Sequence, residues 1–547
     1  MNVKTKDEEV ITDSRSISAR QERRRVAGAA GIVMAGMLLS RILGYVREMQ
    51  IARSFGADYQ TDAFWAAFMV PDLLYNLLAG GALSAAFIPI FSEYINNGKE
   101  RDAWKLASGV INVMLCVLSL AVLSIVLFTP AMVGLVTQFG VDNPSYPLCV
   151  KLTRLMSPIL ILHALNGLAT AMLQSRKNFF IPAMIWLIYN IAIIIAAFMA
   201  NGRIEILTYG VLAGAALMVL SQLLYLRRQG MQYSLRAGIS SPGVKQVLLL
   251  FPTAMFGLAV NWLSLTWLPQ FFGSGISEGV VTYIRYATRV IILPVGMFAI
   301  AISTAVFPYL SDINTDIERF KHLLASGLRA ILIFAIPSTV GLIVLRLPIT
   351  DLLWAGGKFS SADVTATASL TMFFALGLIG QSALPLVARG FYARKDTITP
   401  ALAGVGGLAV NAALMPLMKA LGMGADGIAV AASAAVTFNM LALIYLLRRQ
   451  LGALEGRETL LTIVKVTLSS GLMALAITRS VDWLSALYSA IPGLAARGME
   501  SKLHTLFITG GSMGIGVLIF GVAIMLARSP EADILRRAFI KKEKIVL

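Results

Sequence analysis

Charge is sparse and unevenly spaced along this chain of 547 residues. Eleven stretches carry no Asp, Glu, Lys or Arg: 106–141, 155–175, 178–202, 206–226, 246–277, 290–311, 330–345, 364–388, 397–418, 427–447 and 503–527. Most reach the ~20 residues that a helix needs to cross a bilayer. A segment spanning lipid must satisfy its own backbone hydrogen bonds, so uncharged runs of this length fold as helices. Three further spans hold isolated charges: Val26–Ser54, Ala63–Ser92 around Asp72, and Thr459–Thr478 around Lys465. The ninth span is long enough only if it begins near His322, which puts Arg329 inside it. The expected fold is an all-α integral membrane protein with 14 transmembrane helices. Only 14% of residues are charged, against roughly 25% in soluble domains.

Orientation follows from the distribution of Lys and Arg, which favour the cytoplasmic side. With the N-terminus inside, 31 of the 46 basic residues fall on the cytoplasmic side and ten on the outer side. The cytoplasmic set includes the tail with Arg23, Arg24 and Arg25, and the loops at Arg176, Arg227, Arg394 and Arg448. Both termini are therefore expected in the cytoplasm. The asymmetry also accounts for the net charge of +17, and nucleic acid is not expected as a partner. The first 25 residues lack a signal-peptide cleavage pattern and read as a basic tail against anionic membrane lipid.

The chain repeats itself at an offset of about 220 residues. "AAFIPIFSEY" at 85–94 matches "AVFPYLSDI" at 305–313, and "LQSRKNFFIPA" at 173–183 matches "FYARKDTITPA" at 391–401. "YLRRQG" at 225–230 matches "LLRRQLG" at 446–452. Six helices thus repeat as six in the same orientation, two lobes related by a pseudo-two-fold axis along the membrane normal. The expected domains are a cytoplasmic basic tail (1–25), an N-lobe (26–230), a C-lobe (245–450), a terminal helix pair (457–528) and a second basic tail (529–547).

The five remaining basic residues, Arg41, Arg47, Arg285, Arg289 and Arg329, fall inside spans. An arginine at a helix centre costs roughly 2.5–3.5 kcal/mol on the insertion scale, so it needs a partner or a ligand. Arg41 and Glu48 are seven residues apart and are expected to share a helix face. Arg285 and Arg289 share another, and Asp62 opens the second span. Ordinary alternatives apply to each: Arg47 can snorkel to an interface, Asp62 can complement a helix dipole, and Glu48 can simply neutralise an arginine. As a set, with arginine in both lobes, they suit an anion, because the planar guanidinium matches phosphate through paired donors. Cys116 and Cys149, and the scattered His163, His322 and His504, form no metal-ligand spacing, so no metal and no cofactor are expected.

"SRILGYVREMQIARSFGA…TDAF", "PDLLYNLLAGGALSAAFIPIFSEY", "GGKFSSAD" and "ARGFYARKDTITP" resemble the MurJ lipid II flippases of the multidrug/oligosaccharidyl-lipid/polysaccharide exporter superfamily. The resemblance covers about residues 26–528. It implies a non-enzymatic carrier in the bacterial inner membrane that moves the lipid-linked peptidoglycan precursor outward by alternating access through a cationic central cavity. Its partners would be lipid II, membrane lipids and the cell-wall synthesis machinery. It implies a groove on the last two helices for the polyprenyl tail. It places the family's essential arginines on Arg41, Arg47 and Arg289 and its aspartate on Asp62; Ser40, Glu48 and Arg285 complete the candidate substrate-binding set. Glu48 stands where an aspartate is usual, and Tyr75 and Asn76 where some members have a basic pair. The acids of a family sodium site are replaced by Asn261 and Asn411, which counts against sodium coupling. Alternatives are an exporter of another lipid-linked oligosaccharide or of a drug, although drug exporters usually stop at twelve helices. A membrane enzyme acting on polyprenyl phosphates would need clustered acids or histidines.

Overall fold

The computed structural model describes residues 36, 38–78, 82–238, 243–247, 260, 262–490 and 502–527; both basic tails lie outside these. The described residues are helical, without a β-strand among them. In chain order they form α1 (38–55), α2 (Tyr59–Leu78), α3 (Ala82–Asn96), α4 (Glu100–Leu127), α5 (Thr129–Val136), α6 (Ser145–Met156), α7 (Ile159–Ser175), α8 (Phe180–Met199) and α9 (Ile204–Arg228). Then come α10 (Leu268–Gly273, after a π-helical turn Leu263–Trp267), α11 (Val280–Asp312), α12 (Ile317–Val344), α13 (Arg346–Trp354), α14 (Ser361–Leu376) and α15 (Leu378–Ala393). The chain continues with α16 (Ile398–Ala420), α17 (Gly424–Leu451), α18 (Gly456–Ala490) and α19 (Lys502–Leu526). Nine of the described helices are individually long and apolar enough to cross a membrane, or eleven with each bent pair counted as one span. The predicted first, second and seventh spans account for the rest: α1, the pair α2 and α3, and α10, each running into residues outside the described set.

The internal repeat survives as an order of elements. A long helix (α4), a short one (α5), a bent pair (α6 and α7, 41°) and two spans (α8, α9) recur as α12, α13, a bent pair (α14 and α15, 42°), α16 and α17. The second bend has a local cause. A Cβ on Gly377 would stand 2.8 Å from Ser433 Cα, so only glycine lets α17 approach there. The Ser433 hydroxyl donates to the Phe373 carbonyl at 2.8 Å, satisfying an acceptor at the break in the helix. Two helix starts are capped by side chains: Ser360 and Asp363 form a reciprocal capping box, and Asp316 accepts from Arg319 N–H.

The chain divides into two compact units, Met1–Ile51 with Leu74–Leu127 and Arg154–Ala254, and Ala52–Leu73 with Phe128–Thr153 and Met255–Leu547. The first is cored by Phe87, Phe91, Trp104, Leu168 and Met172. In the second, α18 and α19 pack on α12 through Met473, Ile477 and Phe520 against Leu332 and Ile336. Buried Arg329 is part of this junction and not of an anion site. Its Nη1 donates to Glu455 Oε2 at 2.7 Å and its Nη2 to Ser326 Oγ at 3.0 Å. Burial raises the Glu455 carboxyl, but the bonds and charges of Arg329 and His322 prevail and hold it below its ordinary 4.5.

Candidate functional site

In the first unit, Arg47 is the centre of a small polar set. Its Nη2 donates to Glu48 Oε1 at 2.9 Å and its Nη1 to Asn190 Oδ1 at 3.1 Å. Asn190 in turn donates from Nδ2 to the Ser40 carbonyl at 3.2 Å, bracing α8 against α1. Glu48 is 1% exposed, and the Arg47 side chain 14%. A buried ion pair offsets its desolvation only when further hydrogen bonds fix the geometry, and Asn190 supplies one. Arg41 and Glu48 stand two turns apart on the unbroken helix α1 and so share a face, as expected. Arg41 is exposed and Glu48 buried, and it is Arg47 that the acid pairs with. Adjacent residues meet because the long arginine side chain can swing back along the helix.

In the second unit, Asp62 caps a helix to which it does not belong. Its Oδ2 accepts from Gly279 N–H at 2.7 Å, and its Oδ1 from Thr282 N–H at 2.9 Å and the Thr282 hydroxyl at 2.7 Å. Those amides are the unsatisfied donors at the start of α11, where the dipole also favours a carboxylate. Gly279 has φ +87°, a conformation open to glycine, and a Cβ there would collide with Tyr283 and the Ala57 carbonyl. One turn further along both helices, the Arg285 guanidinium lies 3.9 Å from the centroid of the Trp65 ring. This is a close cation–π contact. Trp65 meets Tyr286 edge-on, and Tyr286 stacks on Trp354 at 4.5 Å. Arg289, a turn beyond Arg285, is half-buried.

The "GGKF" segment closes the same end of this unit. Lys358 N–H donates to the Arg53 carbonyl at 2.9 Å. A Cβ on Gly357 would stand 2.2 Å from that carbonyl, so the two backbones touch where a side chain would lie. Asp363 accepts from the Tyr283 hydroxyl at 2.6 Å. Asp72, in the second span, accepts from Trp262 Nε1 at 3.1 Å. Asn411 donates to the Ser264 carbonyl beside the π-helical turn; Asn261 and the side chains of Tyr75 and Asn76 lie outside the described residues. No group of three or more His, Cys, Asp or Glu able to hold a metal occurs among the described residues.

Of the predicted residues, Ser40, Arg47 and Glu48 come together in one unit and Asp62 and Arg285 in the other. Asn190, Trp65, Gly279 and Thr282 were not anticipated. Asn190 had a signal, an amide in the middle of the uncharged 178–202 run; Trp65 had only its place three residues after Asp62.

A polytopic helical chain with a six-helix repeat and braced arginines inside its spans is a membrane transporter. More particularly, the chain belongs to the lipid II flippase MurJ family, whose model, "Lipid II flippase MurJ", matches residues 51–491. The lipid II flippase MurJ of Burkholderia cenocepacia is 34% identical over 71% of this chain and 78% of its own length. A probable lipid II flippase MurJ of Vibrio cholerae is 29% identical over 88% and 96%. A solved lipid II flippase MurJ in an inward closed conformation superposes with a TM-score of 0.73 at 27% identity, covering 93% of this chain and 99% of that one. An inward-facing multidrug transporter of the MATE family and MOP superfamily shares the fold, with a TM-score of 0.65 at 11% identity over 75% and 95%. The protein is thus a multi-pass lipid II flippase working by alternating access, and not an enzyme.

Proposed function

We propose that the Arg47 set, with Arg41, and the Arg285–Arg289 pair engage the diphosphate of lipid II in the course of the transport cycle. The observation that carries this is Arg47 itself, an intramembrane guanidinium oriented by Asn190 and Glu48. A planar fork held in place presents its donors to a phosphate with little further ordering. The Asp62 cap and the Arg53–Lys358 contact act as a latch that is made in this state and broken when the substrate leaves. The membrane is the bacterial inner membrane, with both termini cytoplasmic. Moving one negative charge outward from a negative interior gains roughly 2.3 kcal/mol per 100 mV, so a polyanionic headgroup can be driven without ATP.

Depletion of the protein in cells should accumulate lipid II on the inner leaflet; accumulation of a different lipid-linked intermediate would refute the substrate. Complementation with Arg47→Ala should fail at normal protein abundance, whereas normal flipping would reduce Arg47 to a structural role. Orientation is read separately, in a variant lacking both native cysteines. An impermeant thiol reagent should label Val141→Cys from outside intact cells and spare Thr397→Cys; the reverse would invert the topology.

A further inference from the structure

The connector after α9 is bound down along its length. Arg176 holds its start, donating from Nη1 to the Gln229 carbonyl at 3.1 Å and from Nη2 to Glu100 at 3.0 Å. Over "QYSLRA" (232–237), the anchor is Asn112 on α4. Its Nδ2 donates to the carbonyls of Ala237 (2.8 Å), Ser234 (3.0 Å) and Leu235 (3.2 Å), and its Oδ1 accepts from the Tyr233 hydroxyl at 2.6 Å. Ser108, one turn earlier, accepts from Ser234 N–H at 3.1 Å. A Cβ on Gly109 would stand 2.7 Å from Val244 Cγ2 and 3.4 Å from the Gly238 carbonyl, so glycine lets the strap lie flush on the helix.

The carbonyls of Ser234, Leu235 and Ala237 and the Tyr233 hydroxyl thus turn onto α4, while the Leu235 side chain turns out. Leu235 is 82% exposed, and Tyr233 is also exposed. Arg227, Arg228 and Arg236 beside them are exposed too. Asn112 lies roughly 18 Å along α4 from Glu100 at 1.5 Å per residue, two turns past Lys105 and inside the uncharged 106–141 run. The strap therefore lies against the apolar part of α4. With the carbonyls of Ser234, Leu235 and Ala237 bonded to Asn112, the strap loses less on leaving water than it would with those acceptors free. Tyrosine and arginine at a helix end are the residues that settle at the headgroup level.

From this we infer that the 229–238 strap is a membrane-surface site for anionic phospholipid: Leu235 enters the acyl boundary, and Arg227, Arg228 and Arg236 bind headgroup phosphates. The charge selects anionic over zwitterionic lipid, and Asn112 fixes the depth. The inference rests on the membrane embedding of the chain, not on the substrate or the direction of transport, so it can fail while those stand.

The test uses the full chain with Cys116 and Cys149 replaced by serine and a spin label at Leu235→Cys. The protein is reconstituted in vesicles of phosphatidylcholine, with or without phosphatidylglycerol. Collisions with oxygen, which partitions into lipid, should exceed those with a water-soluble nickel chelate severalfold at position 235, and the reverse should hold at Val141→Cys. Adding phosphatidylglycerol should immobilise the 235 label further. Arg227→Gln/Arg228→Gln/Arg236→Gln or high salt should remove that response, and Asn112→Leu should lower the oxygen-to-nickel ratio. A nickel-dominated label at 235 overturns the inference. So does immobilisation that is the same in both lipids or unchanged by the triple substitution.

Discussion

Asp62 and Thr282 meet through two hydrogen bonds to one carboxylate oxygen, from the threonine's backbone amide at 2.9 Å and its hydroxyl at 2.7 Å. By sequence they stand in different lobes, and here a carboxylate from one span completes the N-terminus of another. Helix α11 thus begins with its donors satisfied only while α2 is beside it. Losing an N-cap costs about 0.5–2 kcal/mol, small enough for a transport cycle to break the contact.

Asp62→Ala should therefore shift the protein toward the state in which this end is open. In the cysteine-free background, Ala66→Cys, which is buried, should react faster with a thiol reagent when Asp62→Ala is added. Unchanged reactivity would mean that the cap supports α11 without holding the latch.

Arg47→Ala and Arg289→Ala should lower flipping roughly 10–100-fold, the loss of charge-assisted hydrogen bonds worth about 1.5–3 kcal/mol. Lysine at either position should rescue poorly, since a point charge lacks the paired fork. Asn190→Leu should slow transport with Arg47 still present, because the guanidinium loses its brace. Substrate-dependent rates in proteoliposomes separate these from folding losses measured as abundance; a fully active Asn190→Leu would leave Arg47 able to orient itself.

The span pattern, the repeat and the transport class were legible because each is written locally, in runs without charge and in motifs that recur about 220 residues apart. Partners across helices were not. Counting turns put Glu48 on the face of Arg41, but which arginine it neutralises was not legible, and it pairs with Arg47. Arg329 looked like one more intramembrane charge, and nothing nearby in sequence announced Glu455, 126 residues away, as its counter-ion. Asp62 was legible as a residue favoured by a helix dipole, but the helix it caps is α11 and not its own. Spacing along one helix constrains which residues share a face; which face meets which helix is decided by packing.

The Arg329–Glu455 contact predicts an acid-sensitive junction. A carboxyl held below its ordinary value contributes stability that is complete above about 4.5 and is lost as pH falls through its lower folded value. Glu455→Gln should destabilise the protein by about 1–2 kcal/mol near neutral pH. Thermal unfolding of wild type and variant in detergent should converge toward pH 3. A constant gap across that range would attribute the loss to packing.

The glycines of α19 separate by face, which sharpens what the terminal pair is for. A Cβ on Gly511 would stand 2.7 Å from Leu484, and one on Gly516 2.7 Å from Ile477 and 3.3 Å from Met473. These two allow α19 to pack against α18, as small residues do between membrane helices. Gly510, Gly514 and Gly521 would meet nothing within 4 Å, and with exposed Met513, Val517 and Leu518 they form a smooth apolar strip. A polyprenyl chain needs such a surface, because it is too apolar for a polar cavity and must lie along a path open to lipid. The two faces therefore make opposite predictions. Gly516→Trp should displace α19 and lower protein abundance, with all activity lost together. Gly514→Trp should leave the fold and abundance intact while slowing transport of long-tailed lipid II. A short-tailed, water-soluble analogue should still bind this variant with unchanged affinity. Equal loss for long and short tails in Gly514→Trp would mean that the strip serves the fold and not the tail.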